Sequence, residues 1–278
     1  MTDRASSAPR RVDHHAQSSR PDLSLIVPTY NERENLGTLL EQTLAACERF
    51  HLTCEVIVVD DNSSDGTGAH ADEWALTSAV RVLHRPAKLG LGSAVMDGFA
   101  LATGDILGVI DADLSHPPPL IGALYSAMTH NNLDMVIASR YVAGGGTGSW
   151  QLRRRLLSRL GCSITRGLTP VRDAMSGFFL IRRDRVQGLT TSTRGFKIAL
   201  ELLVRSAPRR IAEVGYVFND RRRGESKMTV AEGLMFLRQV VRLYWDSRRT
   251  SAVRPTYVTI GATPALKETA SERGRSGN

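Results

Sequence analysis

The chain has 278 residues, 42% hydrophobic and 23% charged, which is typical of a globular protein with one large domain or two small ones. Its 36 Lys and Arg residues outnumber 28 Asp and Glu, and the net charge of +8 favours a nucleic acid, an anionic membrane surface or a phosphorylated substrate as partner. Three cysteines without CxxC spacing argue against a disulfide framework and a zinc site, and indicate a reducing compartment. The chain lacks an apolar run long enough for a membrane span and the apolar core of a signal peptide, so we expect a cytoplasmic protein.

Both ends of the chain are polar and unpatterned. Residues 1–21 combine Ser, Arg and Pro with a His pair, and we predict a disordered arm in which that pair is solvated. Residues 251–278 are similar, and the stretch 257–260 is too short to argue for structure, so we predict a disordered tail. Residues 22–250 are then a single domain.

Apolar segments typical of strands alternate with helical patterns along the first half of this domain. The predicted strands are LSLIVPTY (23–30), EVIVVDD (55–61), VRVLHR (80–85), DILGVIDAD (105–113) and DMVIASRY (134–141), which closes the series. Helical patterns follow the first four strands, over 36–47, around 66–76, around 90–103, and from the Pro pair at 118–119. Nearly continuous Val, Ile and Leu strands separated by helices predict an α/β fold with a mostly parallel sheet covered on both faces.

Polar clusters stand at the carboxyl ends of three predicted strands, at 30–32, at 60–62 and at Asp111 with Asp113. On a strand, the two carboxylates share a face while Ala112 points the other way. Paired carboxylates repel each other unless a cation lies between them, and a few hard oxygen ligands suit Mg²⁺ or Mn²⁺ on substrate phosphates. An isolated Asp-x-Asp is more often a polar strand end without a ligand. Three clusters on the edge where parallel sheets bind ligands favour one shared site.

Two basic amphipathic helices are predicted in the second half. The first, over 150–169, spaces its apolar residues four apart among five arginines: Leu152, Leu156, Leu160, Ile164 and Leu168. The second runs over 229–245, with a stripe formed by Val230, Leu234, Leu237, Val241 and Tyr244. Each pattern is equally consistent with a helix that packs on the core with Arg in solvent and with a helix that contacts a membrane.

Two loops carry weaker signals for phosphate binding. The segment KLGLG (88–92) brings one cation to a backbone that a ligand can approach closely, but it lacks the spacing of a P-loop and of GxGxxG. The segment RRRGESK (221–227) combines charge with hydroxyl donors, although isolated Arg-rich loops are usually solvated. Nucleic-acid binding is disfavoured because aromatic residues are only 6% and are not interleaved with the basic residues.

The motifs IVPTYNERENL, VIVVDDNSSDGT, RPAKLGLGSA, DADLSHPP, ASRY, SGFFLIRR and FNDRRRGESKM occur in this order. This series resembles the dolichyl-phosphate mannosyltransferases, inverting and metal-dependent GT-A glycosyltransferases of family 2, over about residues 23–245. ESKM and the preceding Arg cluster point to the polyprenyl-phosphate branch. The resemblance implies a GT-A fold, with a Rossmann-like, mostly parallel sheet flanked by helices and C-terminal amphipathic helices. It also implies a nucleotide-sugar half over 22–141 and an acceptor half over 142–250.

The resemblance implies roles for individual residues. Those implied to bind the nucleotide sugar are Pro28, Tyr30, Glu32, Asp60, Lys88, Gly90, Asp111 and Ala112. The implied metal ligands for Mg²⁺ or Mn²⁺ are Asp111 and Asp113. Those implied to lie at the reacting groups are Asp113, Arg140, Ser176, Arg221 and Lys227, and those implied to hold the acceptor phosphate are Ser176, Arg221, Ser226 and Lys227. Ser115 stands where some relatives have a metal-binding Gln, which leaves water to complete the metal shell.

The implied activity is transfer of mannose from GDP-mannose to a polyprenyl phosphate, by a protein peripheral at the cytoplasmic face of a membrane. A membrane-protein anchor is the alternative to direct lipid contact. Transfer of glucose or N-acetylglucosamine stays open, as does a family 2 enzyme with a non-lipid acceptor, which would need a general base. A pyrophosphorylase would need a Gly-rich N-terminal signature that is missing, and a non-catalytic subunit would be expected to lose the Asp pair.

Overall fold

The computed structural model describes residues 20–148, 150–189, 197–218, 230–249 and 255–260. The strands are β1 (Leu23–Thr29), β2 (Cys54–Asp60), β3 (Val80–His84), β4 (Ile106–Val109), β5 (Met135–Ser139), β6 (Phe179–Arg182), β7 (Arg210–Gly215) and β8 (Thr256–Ile260). The helices are α1 (Arg33–Arg49), α2 (Thr67–Ala75), α3 (Leu91–Leu101), α4 (Leu120–His130), α5 (Leu152–Ile164), α6 (Ile198–Arg205) and α7 (Val230–Arg249). Short 3₁₀ turns occupy Thr165–Gly167 and Arg183–Arg185.

The strands form one sheet in the order β3-β2-β1-β4-β6-β5-β7-β8. All neighbours are parallel except β6, which runs antiparallel to both β4 and β5. Alternate residues of β1 belong to two different apolar clusters: Leu25 lies in one and Ile26 in the other. Because helices cover both faces, the central strands are apolar throughout. The predicted mostly parallel sheet flanked by helices is confirmed.

The sequence-predicted series of strands was incomplete. It closed at 134–141, whereas β6, β7 and β8 extend the same sheet. β6 has four residues, too few to show a period, and it inserts between β4 and β5 through non-local pairing. The expectation that Asp111 and Asp113 lie on a strand and share one of its faces was also wrong, because β4 ends at Val109 and both residues lie in the turn that follows. Strand alternation therefore does not place these carboxylates.

The predicted disordered tail over 251–278 was wrong at 256–260. These residues form β8, which pairs in parallel with β7 over Arg210–Val214. A five-residue strand gains its stability from the neighbouring edge and from packing, neither of which is visible in the local sequence. The rest of that tail and residues 1–19 lie outside the described residues. The division into nucleotide-sugar and acceptor halves stays a prediction.

Helices α5 and α7 turn apolar residues outward. Leu152, Leu156, Leu160 and Ile164 on α5 are between 44% and 71% exposed, so of the two alternatives for this stripe the one in which it packs on the core does not hold. The α5 side chain that is buried is Cys162. The second helix buries Val240 and Leu243 instead, while most of its predicted stripe is exposed: Leu234, Leu237, Val241 and Tyr244. Within the described part of the chain, no helix has the length and apolar character needed to cross a membrane.

Candidate active site

The candidate site lies at the sheet edge where β1, β2, β4 and β5 end. Since β2, β1 and β4 are parallel neighbours, the three polar clusters of the sequence meet at this edge. Pro28 is buried within β1, opposite Val59 of β2, and Ala112 is buried in the turn after β4. Arg140 follows β5 and enters from the other half of the sheet. The predicted shared edge is therefore present for the described residues.

Asp60 and Glu32 are held by hydrogen bonds at the ends of β2 and β1. The buried Asp60 carboxylate accepts bonds from the N–H and hydroxyl of Ser63 and from the hydroxyl of Thr29. The Glu32 N–H donates to the Thr67 hydroxyl at 2.9 Å, and its carboxylate accepts from the Asn35 amide at 2.8 Å. These bonds fix both carboxylates beside the edge at which ligands bind parallel sheets.

Lys88 and Tyr30 form a second part of the edge. The Lys88 ammonium lies 3.6 Å from the centroid of the Tyr30 ring, a cation–π contact, and Tyr30 is 40% exposed. Gly90 has φ of 102° and precedes α3, a backbone conformation that favours glycine. An exposed ring, a cation and an open backbone together suit a nucleotide.

Asp61 anchors this loop, a role that sequence reasoning missed. Its carboxylate accepts the backbone N–H groups of Leu89 at 2.9 Å and Gly90 at 2.8 Å. It also pairs at 2.7 Å with Arg85, and both side chains are almost completely buried. The sequence shows Asp61 beside Asp60, but the loop that it holds is about 28 residues away, so no local signal identifies the partner.

The Asp111 and Asp113 carboxylates have different surroundings. Asp113 is buried and accepts bonds from the N–H of Ser115 at 3.0 Å and from its hydroxyl. One third of the Asp111 side chain is exposed, and its Oδ2 lies 3.2 Å from Nε2 of His116. Ser115 thus orients a carboxylate. Gly177 covers Asp111 closely, since a Cβ built at this glycine would sit 2.1 Å from Oδ2 of Asp111.

The donor set of this turn fits a hard divalent cation. Carboxylate oxygens suit Mg²⁺ and Mn²⁺, which keep water or substrate phosphate as their remaining ligands. Among the described residues, no group of three or more His, Cys, Asp or Glu side chains is arranged to hold a metal.

The buried His116 contacts the Asp111 carboxylate, and sequence reasoning gave it no role. It is 2% exposed and lies among the rings of Phe178, Tyr216 and Phe218, whose centroids are 5.3–5.7 Å away. A histidine that contacts a metal-binding carboxylate fixes the direction in which that carboxylate points. The signal available in the sequence was the HPP segment, which was read only as part of a motif.

Arg140 is held by Asp173, which sequence reasoning also missed. Nε and Nη2 of Arg140 donate to the two Asp173 oxygens at 2.7 and 2.6 Å, and the Arg140 N–H donates at 2.9 Å. Asp173 is fully buried. Burial lowers the pKa of Arg140 and the Asp173 carboxylate raises it, with a net rise, so the guanidinium stays charged. Trp150 and Phe218 lie 5.3 and 5.6 Å from it.

The remaining predicted residues divide into two groups. Ser176 is buried in the turn before β6, where its hydroxyl accepts the N–H of Phe178 at 3.2 Å. Arg221, Ser226 and Lys227 lie outside the described residues.

Lys197 was not predicted: burial lowers its pKa, while the Asp111 and Asp173 carboxylates act in the opposite direction, which places its ammonium near both acids.

A basic cavity of about 360 Å³ adjoins Arg140. Its lining includes the guanidinium-bearing residues Arg140, Arg159, Arg166 and Arg172 and contains no carboxylate side chain. Several guanidinium groups around one cavity favour an anion such as a phosphate.

Comparisons with known proteins agree with this geometry. A family model described as glycosyl transferase family 2 matches residues 24–196. The chain is 40% identical over 229 residues to a dolichol-phosphate mannosyltransferase of Pyrococcus furiosus; the match covers 81% of this chain but only 64% of that protein. It is 38% identical over 217 residues to the polyprenol monophosphomannose synthase of Mycolicibacterium smegmatis, covering 74% of this chain and 80% of the relative.

A solved mannosyltransferase from Pyrobaculum calidifontis, in complex with GDP-Man and Mn²⁺, has the same fold. The TM-score is 0.55 at 17% identity, and the superposition covers 92% of this chain and 81% of that protein. At this identity, the likeness supports the fold and not the ligands.

Proposed function

The chain belongs to glycosyl transferase family 2, and we propose that it transfers mannose from GDP-mannose to a polyprenyl phosphate. The observation that carries the proposal is the meeting of Asp60, Asp111, Asp113 and Arg140 at one sheet edge, in a chain 40% identical to a dolichol-phosphate mannosyltransferase. The edge supplies acids for a metal-bound diphosphate, and Arg140 beside the basic cavity supplies charge for a second phosphate.

The donor is proposed to lie across the ends of β1, β2 and β4. The nucleoside would stack near Tyr30 and bond to Asp60, with Pro28 and Glu32 shaping its pocket. Lys88 and the backbone at Gly90 and Ala112 would approach the diphosphate. Asp111 and Asp113 would hold Mg²⁺ or Mn²⁺, whose positive charge would stabilise the departing diphosphate.

Acceptor binding is proposed on the Arg140 side. Asp173 accepts hydrogen bonds from Nε and Nη2 of Arg140, so that Nη1 would donate to the acceptor phosphate. Ser176 belongs to the same turn, since its backbone N–H donates to the Asp173 carbonyl at 3.1 Å. We propose that Arg221, Ser226 and Lys227 complete the phosphate contacts. The dry aromatic surroundings strengthen each charged contact.

The proposed reaction does not require a side chain that removes a proton from the acceptor. A phosphate oxygen of the acceptor attacks the anomeric carbon, the bond from that carbon to the β-phosphate oxygen breaks, and its electron pair leaves with GDP. Attack from the opposite face inverts the configuration. The second pKa of a phosphate monoester is about 6, so the nucleophile is already anionic at neutral pH and needs no general base. Positioning and electrostatics then supply most of the rate.

The exposed apolar faces of α5 and α7 support contact with a bilayer. The two helices are neighbours, since a Cβ at Gly161 of α5 would lie 3.8 Å from the ring of Phe236 on α7. Exposed arginines, among them Arg153 and Arg159 on α5 and Arg238 on α7, flank these faces. Each Lys or Arg near an anionic surface contributes about 1 kcal/mol. We therefore propose that the protein lies peripherally at the cytoplasmic face of a membrane that carries the lipid acceptor.

Liposome flotation tests the membrane contact. Leu156→Glu on α5 should reduce binding to vesicles that contain anionic lipid, because it puts a charge in the apolar face. Leu76→Glu is the matched control, since Leu76 is 86% exposed at the end of α2. Wild-type protein that stays unbound at low salt would contradict direct contact and favour a membrane-protein anchor.

Label transfer tests the activity itself. Purified protein is incubated with radiolabelled GDP-mannose, a polyprenyl phosphate and Mn²⁺ or Mg²⁺, with and without EDTA. We expect label in the organic phase that EDTA abolishes. If label enters the lipid only from UDP-glucose or UDP-N-acetylglucosamine, mannose is the wrong sugar and the proposed class of acceptor still holds. If no donor labels the lipid, the proposal is contradicted.

A further inference from the structure

A buried carboxylate connects the C-terminal strand to the turn that holds Arg140. Glu213 on β7 is fully buried, and it accepts the backbone N–H groups of Arg172 at 2.8 Å and Asp173 at 2.9 Å. The hydroxyl of Tyr257 on β8 donates to Oε2 of the same carboxylate. Three donors thus converge on Glu213 within the described residues, so its charge is compensated by hydrogen bonds.

The register of β7 and β8 explains why Tyr257 reaches Glu213. Tyr257 lies opposite Ile211, and Glu213 lies opposite Thr259, so the two side chains are diagonal neighbours on one face of the sheet. Burial and the Glu213 carboxylate raise the pKa of Tyr257, which keeps the phenol protonated as a donor. The Tyr257 hydroxyl thus adds a side-chain bond to the backbone pairing of β7 and β8.

The second half of the network runs from Asp173 to Arg140. The Asp173 backbone is fixed by Glu213, and its carboxylate grips Arg140 through Nε, Nη2 and the backbone N–H. In a bidentate pair both N–H···O bonds must stay aligned, so the orientation of the guanidinium follows that of the carboxylate. Displacement of the Asp173 backbone therefore turns the guanidinium of Arg140.

We propose that Glu213 and Tyr257 are positioning residues for Arg140, so that β8 completes the acceptor side of the site. The inference rests on the proposed function in its claim that Arg140 binds the acceptor phosphate. Neither residue touches the reacting groups. Each acts through the Asp173 turn, whereas Asp60 and Asp61 at the donor edge are held by Ser63 and by Leu89.

Kinetics with matched controls test the proposal. Tyr257→Phe and Glu213→Gln each weaken one link, and we expect the KM for the polyprenyl phosphate to rise about tenfold, as for a lost hydrogen bond to a charged group, with the KM for the donor unchanged. Tyr125→Phe and Glu55→Gln are the controls: each alters a hydrogen-bonded side chain remote from Arg140, in contact with Asp22 and with Ser24, respectively. If the KM values for donor and acceptor change equally, in proportion to the loss of Tm, then Glu213 and Tyr257 have only a structural role and the proposal is overturned.

Fluorescence provides a readout that does not depend on turnover. Trp150 packs 5.3 Å from the Arg140 guanidinium and 3.9 Å from that of Arg154, which neither network substitution alters, so a change in its emission reports a displacement of Arg140. In a background without Trp74 and Trp245, Tyr257→Phe and Glu213→Gln should shift the emission of Trp150, and the two control substitutions should not. If wild-type protein fails to transfer mannose, the proposed function is refuted, while the emission still decides the positioning. Emission unchanged in both network variants would overturn the inference.

Discussion

Replacing Gly177 with alanine tests the metal site proposed at Asp111 and Asp113, because this glycine lies against Asp111. A Cβ at this position would lie 2.1 Å from Oδ2 and 2.6 Å from Cγ of Asp111. Since such contacts do not fall below 3.0 Å, the carboxylate must move by about 1 Å, and an error of that size costs about 100-fold in rate. The backbone at Gly177 does not have a positive φ, so alanine brings no conformational strain of its own.

Mn²⁺ titration of the transfer rate is the assay. For Gly177→Ala, we expect kcat/KM to fall about 100-fold and the Mn²⁺ concentration for half-maximal activity to rise, because the displaced carboxylate binds metal poorly. The matched control is Gly167→Ala, whose Cβ would meet no heavy atom within 4 Å. Wild-type rates and Mn²⁺ dependence in Gly177→Ala, at unchanged Tm, would refute the role given to Asp111.

Three further substitutions test other parts of the molecule. Asp113→Ala should abolish transfer that depends on Mn²⁺, and a rate near that of wild-type protein would refute its role as a ligand. Asp61→Asn removes the buried carboxylate that pairs with Arg85 and leaves only the half-exposed Asp97, 3.1 Å from Nε, so unfolding in urea should show a loss of about 3 kcal/mol together with a higher KM for the donor; unchanged stability would contradict that role. Burial raises the pKa of Glu55 and hydrogen bonds lower it, from 4.5 to about 2 in net, so its stabilisation is full above pH 4.5 and is lost as the pH falls towards 2. Glu55→Gln should therefore reduce the free energy of unfolding more at pH 7 than at pH 3, by about 1 kcal/mol after solvent screening, and the Tm should fall accordingly. Equal losses of Tm at both pH values would contradict this prediction.

The first half of the fold could be predicted because its signals are local. Strands β1 to β5 are apolar runs bounded by helical patterns, and the rule that ligands bind at carboxyl ends placed Asp60 and Asp111 on one edge. β6 and β8 could not be predicted in this way. Both are short, and their partners lie far along the chain, so their stability comes from pairing that no window of sequence contains.

The residues that hold the site were missed for the same reason. Asp173 grips Arg140 from 33 positions away, and Glu213 holds Asp173 from 40 positions away. A single carboxylate in a sequence gives no sign of the partner that it will meet. The helical period of α5 was visible in the sequence, but the direction in which its apolar stripe points was not. Leu156 and Leu160 face outward, and the period alone does not show whether a stripe faces the core or another surface.

A competition between two acceptors tests most directly whether this site serves a lipid phosphate. Protein, radiolabelled GDP-mannose and Mn²⁺ are mixed with a polyprenyl phosphate and an equal concentration of a water-soluble phosphomonoester, and the label is counted in the organic and aqueous phases. We predict label in the organic phase, lost with EDTA. Label that enters the aqueous phosphomonoester instead would contradict a polyprenyl-phosphate mannosyltransferase and would favour a family 2 enzyme with a soluble acceptor.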